Sequence, residues 1–200
     1  MRLIRIFSVL LAITGALMLA SVASAGGGRY SFDGGTPTDQ AQVRSALEAS
    51  AFPWDIVPGT VTIHLRRGAD SEASPGNIWI DANVLDAGHF AWAVVQHEYA
   101  HQVDFGLLTG EQRQTLNGQL GGKEWFPGTT QRLHGDFGSE RFASTLTWAY
   151  WPSTDNAYRP LAAHDESAAM DPAQFRALTS SLFGFAPRSL AAVRRPVVRR

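Results

Sequence analysis

Between about Gly88 and Leu107, Phe90, Val94, His97, His101 and Asp104 recur in steps of three and four residues, the spacing of one helix face. No other run constrains the fold as strongly. It predicts a long helix that must pack against something, and it sets two imidazoles on one side of that helix, four residues apart. Glu98 follows His97 by one position and is rotated by about 100° around the axis. His97-Glu98-Tyr99-Ala100-His101 is therefore a His-Glu-x-x-His run in a helical setting.

That pattern suits one chemistry. Zinc takes imidazole nitrogens at about 2.0–2.1 Å and tolerates a tetrahedral site with one open position. Glu98 then reaches toward the open position, where it can act as general base on a zinc-activated water. A catalytic zinc wants a third protein ligand. The chain has no cysteine, so the ligand must be His, Asp or Glu. Glu140, early in a separate helix, is the leading candidate. Asp104, three residues beyond His101, is the rival. On a straight helix it lies another turn along, and no Gly stands where the chain would have to bend. Asp104 is accordingly read as a supporting or structural partner.

The N-terminus bears on the compartment. Arg2 and Arg5 precede an apolar stretch from Ile6 to Ala20, and Ala23-Ser24-Ala25 offers a small-x-small cleavage site. This order is that of a secretory signal peptide over residues 1–25. The stretch is shorter than the roughly 20 apolar residues of an anchor, and Ser8, Thr14 and Gly15 interrupt it. A secreted, extracellular protein beginning near Gly26 is expected, with no membrane association after cleavage. About 175 residues then remain, enough for one domain with a sizeable core. Without Arg2 and Arg5 there are 15 basic and 18 acidic residues, a balance that gives no reason to expect nucleic acid as a partner. The lack of cysteine excludes disulfides, thiolate metal sites and a lipidated leader. Of the 17 basic residues only Lys123 is lysine, a bias associated with GC-rich bacterial genomes.

Elsewhere the patterns are shorter. Residues 26–37 are Gly-rich and read as a flexible N-terminal segment. Thr38 is a plausible N-cap for a helix running to about Ser50. Thr60–Leu65 alternates and is β-branched, and Asn77–Asp81 forms a second strand pattern. The Asn77–Asp81 strand is read as an edge that can receive an extended peptide. Helices are expected from about Glu111 to Leu120, closed by Gly121-Gly122, and from Phe137, capped by Asp136, to Tyr150. A last helix is expected from Asp171-Pro172 to Phe183-Gly184. A small strand layer beside several helices makes the class α+β, with the folded domain over residues 38–186 and a basic C-terminal tail over 187–200. Trp79, Trp92, Trp148, Tyr150 and Trp151 are assigned to the core rather than to a substrate platform. His64 is read as a surface or packing group, His89 as a cap on the long helix, and His164 as a solvated loop residue.

The run from His97 through Gln102-Val103-Asp104, together with Glu140-Arg141-Phe142-Ala143, resembles the catalytic domain of anthrax lethal factor and the related bacterial Pro-Pro endopeptidases. The resemblance spans Val94 to Trp151. It implies a zincin-like, gluzincin-type metallopeptidase with His97, His101 and Glu140 on zinc and Glu98 as base; a peptide or protein substrate and a monomeric chain are expected. Those relatives place a Tyr seven residues before the third ligand to stabilise the oxyanion. Here that position is Leu133, with His134 beside it. His134 is the candidate substitute. A loop histidine without a role is the competing reading, and Tyr150 and Tyr158 are weaker alternatives. The missing Tyr also supports a second function: a catalytically inactive, zincin-like metal-binding or cell-surface interaction protein.

Overall fold

Four strands and six helices build the described part of the chain, which in the computed structural model comprises residues 28–128, 133–186 and 190. The strands are β1 (Tyr30–Gly34), β2 (Val61–Arg66), β3 (Glu72–Ser74) and β4 (Asn77–Asp81). They form one sheet in the order β1-β2-β4-β3. β1, β2 and β4 run parallel, and β3 returns antiparallel on β4. The alternation seen in the sequence sorts the two faces. Val61, Ile63, Leu65, Ile78 and Ile80 are buried, while Thr62, His64, Arg66, Asn77 and Trp79 lie on the other face.

The helices are α1 (Pro37–Ala49), α2 (Ala82–Leu85), α3 (His89–Leu107), α4 (Gly110–Leu120), α5 (Gly138–Tyr150) and α6 (Pro172–Phe183). The chain is thus α+β. Helix α3 touches α1, α5, β3 and β4. Enclosed in this way, it is buried continuously from Val95 to Asp104. A helix covered on every side shows no sharp amphipathic stripe, and its histidine face turns inward as well. Trp54 packs edge-on against Tyr99 of α3 at 5.2 Å, and Phe52 against Tyr150 of α5 at 5.0 Å. These aromatics fasten the two helices to one core.

Several expectations are corrected. Residues 26–37 are not loose throughout. Residues 30–34 form β1, because Tyr30 and Phe32 alternate with Ser31 and Asp33 and find a parallel partner in β2. Arg66 and His64 of β2 then hold the Asp33 carboxylate, each at 2.8 Å. The cap of α1 is Thr36 rather than Thr38. Thr36 and Asp39 close a capping box with Pro37 in the first turn. Asp136 does not cap α5. It lies in a 3-10 turn, His134–Asp136, where its carboxylate pairs with Lys123 at 2.8 Å. The Asn77–Asp81 strand is interior, between β2 and β3, so among the described residues the edge on that side belongs to β3. The other helix limits expected for α4 and α6 stand close to those observed, with Gly121 and Gly184 in the left-handed conformation that ends each. Residues 1–25, and the tail apart from Leu190, lie outside the described residues. Among the described residues no helix is long and apolar enough to cross a membrane.

Candidate metal centre

Helix α3 supplies His97 and His101, whose Nε2 atoms are 3.3 Å apart. Glu140, in the first turn of α5, brings Oε2 to 3.1 Å from His97 Nε2 and 3.3 Å from His101 Nε2. The three donors form a nearly equilateral triangle. Ligand atoms about 2.0–2.1 Å from a common tetrahedral centre are separated by about 3.3 Å. The residues present therefore fit zinc, in donor chemistry and in spacing alike, and the three form a group able to hold a metal ion.

The placement of Glu140 follows from how the chain enters α5. Lys123 N–H donates to Asp136 O at 2.8 Å, Gly138 N–H to Glu124 O at 2.7 Å, and Ser139 N–H to Trp125 O at 3.0 Å. This short ladder fixes the first turn of the helix. A side chain at Gly138 would collide with Asn117 and with the Trp125 ring, so only glycine permits the approach. Arg141 hydrogen-bonds the carbonyls of Leu120 and Gly135 and ties the same turn to α4.

Asp104 serves that scaffold rather than the metal. Its carboxylate accepts from Arg113 Nε at 2.6 Å and from Trp125 Nε1 at 3.0 Å, and it is fully buried. It joins α3 to α4 and to the segment that positions α5. The sequence reading of Asp104 as a structural partner agrees with this geometry.

Glu98 and Glu140 line one cleft of about 290 Å³ with His97, His101 and His134. Phe105, Phe126 and Pro127 give it an apolar wall, and Ser71, Glu72 and Ala73 at β3 border it. Burial raises the Glu98 carboxyl to about 7. Burial also lowers His97, to about 4, against the opposing pull of Glu140. For His101, burial acts against the charged form, but the hydrogen bond and charge of Glu140 outweigh it and the pKa rises. Burial alone would raise Glu140 as well. Its hydrogen bonds with His101, His134 and His97 reverse that and hold it far below the usual carboxylate range.

His134 stands at the mouth of the cleft, with Nε2 2.9 Å from Glu140 Oε2 and Nδ1 2.9 Å from Glu166 Oε1. These two carboxylates, Glu140 first, raise it to about 10. Leu133 is 79% exposed and takes no part. Of the two tyrosines considered, Tyr150 is in the core, with its hydroxyl 2.7 Å from Thr179 Oγ1. Tyr158 stacks on the His97 ring at 4.6 Å with the planes 10° apart.

The remaining histidines stand apart from this group. His64 stacks on Trp79 over the open sheet face. His89 is the first residue of α3 after its Gly88 cap and lies 3.6 Å from Asp155, while His164 is exposed. Trp92 and Tyr150 are core residues, whereas Trp79, Trp148 and Trp151 are half-buried. Two neighbours of the site were missed in the sequence. Ser144 Oγ lies 3.3 Å from His97 Nδ1 and donates to Glu166 Oε2 at 3.1 Å. Ser144 could have been found, since it sits four residues after Glu140 on the same face of α5. Glu166, in the separate 3-10 turn Glu166–Ala168, gives no sequence signal.

No protein-family model matches the chain, and no curated protein or solved structure matches it significantly.

Proposed function

We propose that this chain is a secreted zinc-dependent endopeptidase of the zincin type, with His97, His101 and Glu140 as ligands and Glu98 as general base. One observation carries the reading: three donors from two helices meet at the edge lengths of a tetrahedral zinc site, and Glu98 lines the same cleft. The resemblance to the lethal factor and Pro-Pro endopeptidase group rests on the residues of α3 and α5 alone. The antiparallel strand β3 beside the histidine helix is consistent with it.

When bound, zinc supplies Lewis-acid polarisation of a carbonyl and lowers the pKa of a coordinated water to about 7. The chain's own groups do the rest. Glu98, with its carboxyl raised by burial, takes the proton of the attacking water and passes it to the leaving amine. His134 is held at Nδ1 by Glu166 and at Nε2 by Glu140, so its Nε2–H lies beside the donor triangle and would turn from Glu140 to donate to an oxygen that gains negative charge. Among the described residues β3 is the outermost strand on its side of the sheet, an edge to which an extended peptide can add. Phe105 and Phe126 keep one wall of the cleft apolar.

The experiment is a peptide-library digest with and without chelator, run beside Glu98→Ala. Cleavage that needs metal and disappears in Glu98→Ala, with zinc retained, supports the peptidase. Zinc binding without cleavage in the wild type supports the inactive metal-binding reading, which the absence of a Tyr at position 133 favours.

A further inference from the structure

We infer that Glu166 is a positioning residue that aims two histidines of the site at once, one through each carboxylate oxygen. The inference rests on the zinc reading above and deepens it. Oε1 lies 2.9 Å from His134 Nδ1. Oε2 accepts from Ser144 Oγ at 3.1 Å, and the same hydroxyl lies 3.3 Å from His97 Nδ1.

With an ion in place of the Glu140–histidine hydrogen bonds, one proton arrangement satisfies every donor and acceptor. A carboxylate only accepts, so Ser144 spends its single proton on Glu166 and must accept from His97. His97 then carries its proton on Nδ1, and its Nε2 lone pair faces His101 and Glu140. A ligating imidazole needs that tautomer. The other branch works in the same sense. His134 Nδ1–H donates to Oε1, which turns Nε2 toward Glu140. One carboxylate thus sets both a metal ligand and the candidate oxyanion donor.

Glu166 is itself held firmly. Asp165 Oδ2 closes the preceding turn by accepting from the amides of Leu161 at 2.6 Å and Ala162 at 2.8 Å. Thr145 of α5 donates to the Glu166 carbonyl at 3.2 Å. Gly135 packs so closely on the Glu166 side chain that a Cβ there would lie 3.0 Å from it. The bridging hydroxyl of Ser144 is fully buried, so water does not compete for it.

The test uses the full chain and four variants: Ser144→Ala, Glu166→Ala, Glu166→Gln and the double Ser144→Ala/Glu166→Ala. Zinc affinity is read by competition with a chromophoric chelator, and ligand geometry by the visible spectrum of the cobalt(II) form. Outer partners of metal ligands typically contribute about 10–100-fold in affinity or activity. Ser144→Ala and Glu166→Ala should each weaken zinc by about 10-fold or more and shift the cobalt bands. The double variant should be no weaker than Glu166→Ala, since both substitutions cut one relay. Glu166→Gln offers one acceptor where two donors converge, so it should shift the spectrum too. Glu166→Ala should also lower kcat beyond Ser144→Ala, with KM little changed, because it alone releases His134. Wild-type affinity and spectrum in Ser144→Ala and Glu166→Gln would overturn the inference, as would additive losses in the double variant. Ser144→Ala removes a single hydroxyl and keeps the test decisive if Glu166→Ala fails to fold. A wild type that binds no zinc would instead refute the metal reading itself.

Discussion

Oε2 of Glu140 and Nε2 of His97 lie 3.1 Å apart although 43 residues separate them in the chain. Neither local sequence nor helix geometry brings them together. The ladder of residues 123–125 against 136–139 does so, and Asp104 anchors that ladder through Trp125. The two carboxylates that competed for the third ligand position in the sequence thus have separate roles: Glu140 faces the histidines, and Asp104 holds the frame that delivers it.

Glu140→Ala should cost most of the zinc affinity while the fold survives. Asp104→Ala should have the opposite profile. It takes the carboxylate acceptor from Arg113 Nε and Trp125 Nε1, and breaking a buried pair of this kind costs about 3 kcal/mol. Urea denaturation, with zinc measured per folded chain, separates the two. Loss of zinc in Asp104→Ala at full stability would reverse the assignment.

Glu98→Gln keeps the size of the side chain and removes the base. Cleavage should fall by about 10²–10⁴-fold with one zinc still bound. Turnover with the metal form of that variant, compared with its zinc content, checks this. Unchanged turnover would remove Glu98 from the mechanism.

His134→Gln should lower kcat by about 10²–10³-fold, the usual cost of one oxyanion donor, with KM little changed, and should weaken zinc as well, because His134 also contacts the Glu140 ligand oxygen. Tyr158→Phe removes a hydroxyl but keeps the ring that stacks on His97. Its effect on kcat should be much smaller. Steady-state kinetics of the two variants, run together, decide which group serves the developing charge.

Gln102 links the histidine helix to the β3–β4 turn. Its side chain accepts from Gly76 N–H at 2.8 Å and donates to Ser74 O at 2.9 Å and Asn77 O at 3.0 Å. Gln102→Ala should destabilise the fold by about 1–3 kcal/mol, because buried backbone groups lose their partners. Amide exchange at Gly76 should accelerate more than in β2, and KM for peptides should rise as the β3 edge loosens.

Much of this was legible where periodicity and caps agreed. The long run around His97 and His101 reads as a helix and is one, and Asp171-Pro172 starts α6 as its cap chemistry requires. Glu140, early in its separate helix, lies within 3.3 Å of both histidines. What stayed hidden has physical causes. β1 follows directly on glycines, and its pattern of Tyr30 and Phe32 is too short to separate from a loop without its partner β2. β3 is three residues, Glu72-Ala73-Ser74, with no hydrophobic alternation; it exists because β4 offers an edge and Gln102 fixes the turn. Asp136 stands where a cap for α5 would be expected, but its carboxylate pairs with Lys123 instead of the helix amides. Glu166 reaches the site only through tertiary folding of its 3-10 turn onto α5, which no local pattern encodes.

Zinc stoichiometry tests the proposed metal centre most directly. Equilibrium dialysis against zinc, followed by elemental analysis, should find one zinc per chain in the wild type and far weaker binding in His97→Ala, His101→Ala and Glu140→Ala alike. A folded wild type without zinc, or any of the three variants holding it at wild-type affinity, would contradict the metal centre described above.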